Sequence, residues 1–380
     1  MRSRFQWIWP WLLVIGWCFQ GCDFKADGDD AGVIYRYRGD LQNSGVMRGQ
    51  AAVRQISGEK WKFSTGEWII SSPQMVGERI YVGSVSGWFY CLDPAGKEIW
   101  KLNANAGGGI YSTPLIRDGV AYFGTMDSRF FAVDIAAGGK EKWRLKLDEE
   151  VYASAAMVDH TLYFGGVGGT FYAMDAATGA IQWRFDTASK IYSSPAIAEN
   201  IAYFGTHSGI LYAVDLQTGR EVWKFEVEDD HDIRQILSSP AIANGMIYFG
   251  CMNGRVYALD LKTGEKKWAF ETSPSVSSSP AVSGGTVYIG GWDKQIYALD
   301  GQSGAVKWQY AARDAVLGSP SIAGDMLYVG ARDGYLYALD RETGRLAWEF
   351  QTEGSVACTP LVHNGVVYFG SRDKHLYAVQ

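Results

Sequence analysis

A tryptophan placed just behind a short turn recurs at Trp61, Trp100, Trp143, Trp183, Trp223, Trp268, Trp308 and Trp348, at intervals of 39 to 45 residues. Three further series keep step with it. One is a hydroxyl residue, usually followed by proline: Ser72, Thr113, Ser154, Ser194, Ser239, Ser279, Ser319 and Thr359. Another is a glycine closing an aromatic-rich run: Gly83, Gly124, Gly165, Gly205, Gly250, Gly290, Gly330 and Gly370. The last reads FYCLD, FFAVD, FYAMD, LYAVD, VYALD, IYALD, LYALD and LYAVQ. A chain repeating at this period builds its core by packing copies of one small unit against each other. Each unit holds four short apolar and aromatic runs, split by dipeptides such as Ser208-Gly209, Asn253-Gly254 and Asp333-Gly334. Such dipeptides supply the positive φ that two-residue hairpins need. No unit shows the three-and-four apolar spacing of a helix. Four antiparallel strands per unit make a propeller blade, so the repeats predict an all-β, eight-bladed propeller over residues 58–380.

The chain ends complete the count. The last unit stops at Leu376-Tyr377-Ala378-Val379-Gln380, after its third strand, while Glu59-Lys60-Trp61-Lys62-Phe63 is a fourth strand with no blade before it. Pairing them closes the last blade with strands from both termini and covers edges that would otherwise stay open. The tryptophans are read as packing residues, flat rings wedged between blades. Each follows a turn such as Asp215-Leu216-Gln217-Thr218-Gly219, in which the aspartate caps and the glycine takes the left-handed position.

The first 21 residues form a separate class of sequence. Arg2 and Arg4 precede an apolar run from Phe5 to Phe19, interrupted by Pro10 and too short for a bilayer span, which needs about 20 apolar residues. This predicts an export signal over 1–21. Gly21-Cys22 resembles the bacterial lipoprotein processing box, which implies lipidation of Cys22. Phe19 and Gln20 depart from the usual box, leaving an uncleaved anchor or ordinary secretion as alternatives. Residues 22–57, acidic early at Asp27, Asp29 and Asp30, are expected to be a tether and lead-in.

The chain has a formal charge of −6 and no basic cluster, which gives no electrostatic reason for nucleic-acid binding. Removing residues 1–21 takes away only Arg2 and Arg4 and leaves it more acidic. Cys91, Cys251 and Cys358 sit where sibling repeats carry small residues, and read as small buried groups rather than disulfides or a metal site. The five histidines, His160, His207, His231, His363 and His375, lack metal-ligand spacing. No serine stands in a nucleophile-elbow context.

Residues 58–380 resemble the PQQ-like repeat propellers. The pattern Ala-x-Asp-x-x-Thr-Gly-x-x-x-Trp-x-Phe stands here as Ala258-Leu259-Asp260-Leu261-Lys262-Thr263-Gly264-Glu265-Lys266-Lys267-Trp268-Ala269-Phe270. Arg38-Gly39-Asp40-Leu41-Gln42-Asn43-Ser44-Gly45 is similar to the lead-in before such propellers. The resemblance embraces quinoprotein dehydrogenases and the BamB-type lipoprotein of outer-membrane β-barrel assembly. For the enzymes it implies bridged adjacent cysteines, a calcium held by acidic and amide side chains, and a catalytic aspartate. None of these is recognisable, so no catalytic residue and no metal ligand is assigned and no cofactor is expected, with PQQ kept as the alternative. For the lipoprotein branch it implies a periplasm-facing scaffold, monomeric within a complex, that binds other envelope proteins. A PQQ-dependent oxidoreductase or a small-ligand-binding propeller is the competing reading. Asp23 directly after Cys22 resembles an inner-membrane retention signal, so inner and outer membrane both stay open.

Loop lengths mark the elaborated face. Six blades use 11 residues from tryptophan to hydroxyl, whereas Trp100 to Thr113 uses 13 and Trp223 to Ser239 uses 16. The longest excursion, 226–237, carries Ile233, Arg234, Ile236 and Leu237. The turn residue two after each closing glycine shares its face and includes Met252, Trp292 and Arg332. These seven residues are the expected partner-binding set, since apolar groups beside arginine are typical interface anchors. The hydroxyl series is expected at the mouth of the channel, satisfying backbone groups where strands converge.

Overall fold

The computed structural model describes residues 37–104, 107–228 and 233–380. The expected export signal, Cys22, the acidic stretch around Asp27 and the 229–232 part of the long loop lie outside the described residues. Within them there are thirty-two strands and no helix. The strands form eight four-stranded antiparallel sheets, the predicted propeller. Seven blades are simple meanders, the first running Gln74–Val76, Arg79–Gly83, Trp88–Leu92 and Glu98–Asn103. The eighth is built from both ends of the chain. Its outer strand Glu59–Ser64 pairs with His375–Val379, followed inward by Val366–Gly370 and Leu361–His363.

The closing pair reproduces the other blades down to a defect. In every blade the third and outer strands slip by one residue beside the tryptophan, as at Ala213↔Trp223 and Val214↔Glu221. Trp61↔Ala378 and Glu59↔Val379 show the same slip across the two termini. A bulge adds twist at a sheet edge and turns the extra residue outward. That accounts for exposed Ile99 and Val222, the bulged residues of their blades.

Two side-chain rings lock the blades together. Each closing glycine faces a branched residue entering the next blade: Gly83 faces Ile110, Gly124 Val151, Gly165 Ile191, Gly205 Ile236, Gly250 Val276, Gly290 Val316, Gly330 Val356 and Gly370 Ile69. A Cβ on any of them would lie 2.2 to 2.4 Å from its neighbour, so only glycine fits. Farther out, the tryptophans press on the turn glycines of the following blade, Trp61 on Gly96 through Trp308 on Gly344. Five indoles donate to a backbone carbonyl there, for example Trp183 Nε1 to Leu216 O at 3.0 Å. Blade eight ends at Gln380 and offers no such turn to Trp348. Its indole donates instead to Val53 O at 2.8 Å, in the segment before the propeller.

That segment is packed from Tyr37 onward. It runs under the inner strands of four successive blades. Leu41 O, Gln42 O, Ser44 O and Gly45 O accept from Ile197, Ile242, Val282 and Ile322 N–H at 2.6 to 2.8 Å. Arg38 is wholly buried and donates through Nη2 to Pro280 O at 2.6 Å and Pro320 O at 3.1 Å. The Arg-Gly-Asp triplet is thus internal architecture. The segment leaves the hub beside Val53 and reaches the rim, where Ser57 N–H donates to Gln380 O at 2.6 Å.

The turn aspartates do what their spacing predicts. Asp215 Oδ1 accepts from Thr218 N–H at 2.8 Å and Thr218 Oγ1 at 2.8 Å, with Gly219 at φ +65°. Hydrogen bonds from Thr178, Thr218, Thr263, Ser303 and Thr343 hold Asp175, Asp215, Asp260, Asp300 and Asp340 below the ordinary carboxylate value of 3.8. A depressed carboxylate adds stability above its unfolded pKa, and that stability is lost as pH falls through the folded value. Thermal unfolding should therefore shift to lower temperature as pH drops below 3.8, and Asp215→Asn, whose amide oxygen still accepts both bonds, should flatten that slope. Calorimetric scans from pH 6 to 3 check this, both ends of that range being about two units or less from the unfolded carboxylate value.

Candidate docking face and channel mouth

The entry connections and second-to-third turns of all blades emerge on one face, around the mouth of the central channel. Beneath it lies a cavity of 510 Å³. The eight hydroxyls line it. All but Thr359 accept the backbone N–H of the preceding blade's hydroxyl residue: Ser72 N–H donates to Thr113 Oγ1 at 3.0 Å, Thr113 N–H to Ser154 Oγ at 2.8 Å, and so on round to Thr359 N–H on Ser72 Oγ at 3.0 Å. Seven of the eight junctions are bonded this way. The expectation that these hydroxyls satisfy converging backbone is met, because the N–H groups have no strand partner at the hub.

Residues two positions before the hydroxyls form the wall, a ring the sequence reading passed over. On one side stand Tyr111, Tyr152 and Tyr192, with ring centroids 5.3 and 5.4 Å apart, and His207 beyond Tyr192 at 6.1 Å. On the other are Leu237, Ser277, Leu317, Ala357 and Ile70. Trp292 is fixed by its Nε1 donating to Ser277 Oγ at 2.9 Å. The signal was available: tyrosine occupies the same phase in three consecutive repeats. Burial among these rings pushes the Tyr152 hydroxyl up to about 12, with Arg372 partly offsetting it. Burial and Lys190 hold His207 below its ordinary value, so it is neutral near pH 7.

The expected partner-binding residues separate into three groups. Ile236 is 0% exposed, the branched residue locked over Gly205, and belongs to the blade interlock. Leu237 and Trp292 turn into the channel mouth, and Met252 is half-buried, its N–H on Gln235 O at 2.9 Å. Ile233, Arg234 and Arg332 face outward. Ile233 is 52% exposed, more than any other large apolar residue described. Its loop has a pinned base. Arg234 reaches Glu226 at 3.3 Å, and Glu228 pairs with Arg255 at 3.1 Å and with Lys266. Val227 N–H donates to Gly209 O at 2.9 Å and Ile236 N–H to Thr206 O at 3.0 Å. Trp68, 43% exposed with the Arg372 guanidinium 5.3 Å above its ring, joins the same face and was missed in the sequence.

The model of the family described as outer membrane protein assembly factor BamB matches residues 50–138, 85–310 and 252–380, together the whole propeller. The chain belongs to this family. BamB from Moraxella catarrhalis is 21% identical, superposing with a TM-score of 0.72 over 86% of this chain and 100% of its own. The computationally designed Ika8 protein is 16% identical, with a TM-score of 0.75 over 85% of this chain and 99% of its own. Quinohemoprotein alcohol dehydrogenase ADHIIG from Pseudomonas putida HK5 is 14% identical, with a TM-score of 0.82 over 92% and 80%. Among curated proteins there is no match. At these identities the solved structures share the fold alone, and the site must decide between a scaffold and an oxidoreductase.

Membership makes the cofactor question concrete. Among the described residues the cavity lining contains no carboxylate and no amide side chain to hold a calcium. No group of three or more His, Cys, Asp or Glu among them is placed to bind a metal ion. Cys91, Cys251 and Cys358 are buried and in separate blades. Cys358 replaces the serine of sibling blades, its Sγ accepting from Gly370 N–H at 3.1 Å as Ser71 Oγ accepts from Gly83 N–H at 3.1 Å. These residues do not fit the quinone site that the resemblance to quinoproteins implies.

Proposed function

We propose that this protein is a non-enzymatic scaffold of the bacterial cell envelope, lipid-anchored at Cys22 and facing the periplasm. In this reading it docks partners of outer-membrane β-barrel assembly through its entry-loop face. Ile233 carries the reading: a half-exposed branched side chain raised beside Arg234 on a loop whose base is tied to blades four and five. A preordered apolar group next to an arginine loses little entropy on docking, which is what an interface anchor requires. The family match supports the choice of partner. Among the described residues the channel lining carries no carboxylate or amide side chain, which supports a reading without a calcium-bound quinone.

Co-purification in mild detergent tests this. Ile233→Asp and Arg234→Ala should each lower the recovered assembly partners by about tenfold or more, as loss of an anchor does. Val306→Asp, a change at another exposed apolar residue on an outer strand, should leave recovery intact. Equal recovery from all three, with unchanged melting, would contradict the proposal.

A further inference from the structure

The channel mouth has the makings of a binding site that the docking role does not use. Its floor is the hydroxyl ring, and behind that the packed lead-in with Tyr37, whose hydroxyl is 3.4 Å from Ser279 Oγ. Every bonded ring hydroxyl already accepts a backbone N–H. Ser279 alone is shared with Tyr37, and the other O–H groups donate to no protein acceptor among the described residues. The cup therefore presents a circle of hydrogen-bond donors and no carboxylate.

One guanidinium reaches into it. Arg372 lines the cavity with its Nε buried and unpartnered among the described residues. Its counterpart one blade earlier, Arg332, lies outside the cup and has Asp314 at 3.8 Å. With His207 neutral, Arg372 is the sole cation of the lining, inside a protein of net negative charge. A buried guanidinium edge with nothing to donate to is a standing cost that an anionic oxygen relieves.

The walls say what else the anion carries. Tyr111, Tyr152 and Tyr192 form a continuous aromatic surface across three blades, and Trp292, held by Ser277, stands across the mouth from it. Small residues at Ser277 and Ala357 leave the intervening space open, and 510 Å³ is within the range of small-ligand sites. Aromatic walls favour a planar ring in offset or edge contact. A second or third carboxylate would be buried without a counter-charge.

We propose that the cup binds a small aryl monocarboxylate, its carboxylate on Arg372 Nε and the hydroxyl ring, and its ring against the Tyr111–Tyr152–Tyr192 wall. A polycarboxylated quinone is the wrong ligand for this lining, so the site is distinct from that of the quinoproteins sharing the fold.

Titration calorimetry of the full mature protein with 4-hydroxyphenylacetate tests it. Saturable one-site binding is expected, with the uncharged 4-hydroxyphenylacetamide weaker by about tenfold or more, the usual weight of a charged hydrogen bond. Arg372→Gln should weaken the acid to the level of the amide, Arg332→Gln should not, and Tyr152→Leu should weaken both ligands together. Circular dichroism melts confirm that each variant folds, and Tyr152→Leu serves if Arg372→Gln does not. Ile233→Asp should leave the titration unchanged, so failure here and failure of the docking role are separable. Absence of saturable binding, binding that survives Arg372→Gln, or PQQ binding more tightly than the aryl acid would each overturn the assignment.

Discussion

A chain beginning at residue 65 is expected to lose its closed, cooperatively folded ring. The truncation removes Glu59–Ser64 and with it the only partner of the outer edge of His375–Val379. It takes Phe63 from the Tyr90 ring, 5.3 Å away, and Trp61 from Gly96 and Tyr368. It also removes the lead-in that satisfies Trp348 and Arg38's carbonyl partners under blades six and seven. Deleting two large aromatics and their packing costs about 5 kcal/mol or more. That is comparable to the whole stability of an ordinary domain, roughly 5–15 kcal/mol. The exposed strand edge would then pair with other chains. Urea unfolding followed by tryptophan fluorescence, with size-exclusion chromatography, should show a lost or broadened transition and oligomers. A monomer with an unchanged midpoint would mean that the termini do not close the ring.

The second large effect separates two isoleucines three residues apart. Ile236→Ala should destabilise the protein by about 3 kcal/mol, because it empties a fully buried site against Gly205 that the rigid blade interlock cannot refill. Ile233→Ala should change stability by less than about 0.5 kcal/mol, since its side chain is half in solvent. Denaturant midpoints at constant slope measure both. Equal effects would mean that Ile233 is a core residue and the docking face is misassigned.

Those two residues also show what a sequence of this kind reveals. The ring, the blade number and the closure were legible because each repeat must present the same surface to its neighbour, so Trp, Gly and hydroxyl recur in phase. Ile236 obeys that phase, standing three before Ser239 as Ile69 stands three before Ser72. Reading it as part of an insertion hid it. The lead-in was less legible because its contacts are made by backbone carbonyls of Leu41, Gln42, Ser44 and Gly45, which any residue supplies. The cup was hidden for a different reason. Its character comes from departures from the repeat, three tyrosines and one arginine in separate blades, and only the circle brings Arg372 opposite Tyr152.

The docking face is tested most directly by photo-crosslinking in cells, with a photoreactive amino acid placed at position 233. The account predicts a crosslink to a protein of the outer-membrane assembly machinery from position 233, and none from position 262, in a turn that follows the third strand of blade five. Crosslinks from 262 but not from 233, or none from 233 in membranes where the protein co-purifies with that machinery, would contradict it.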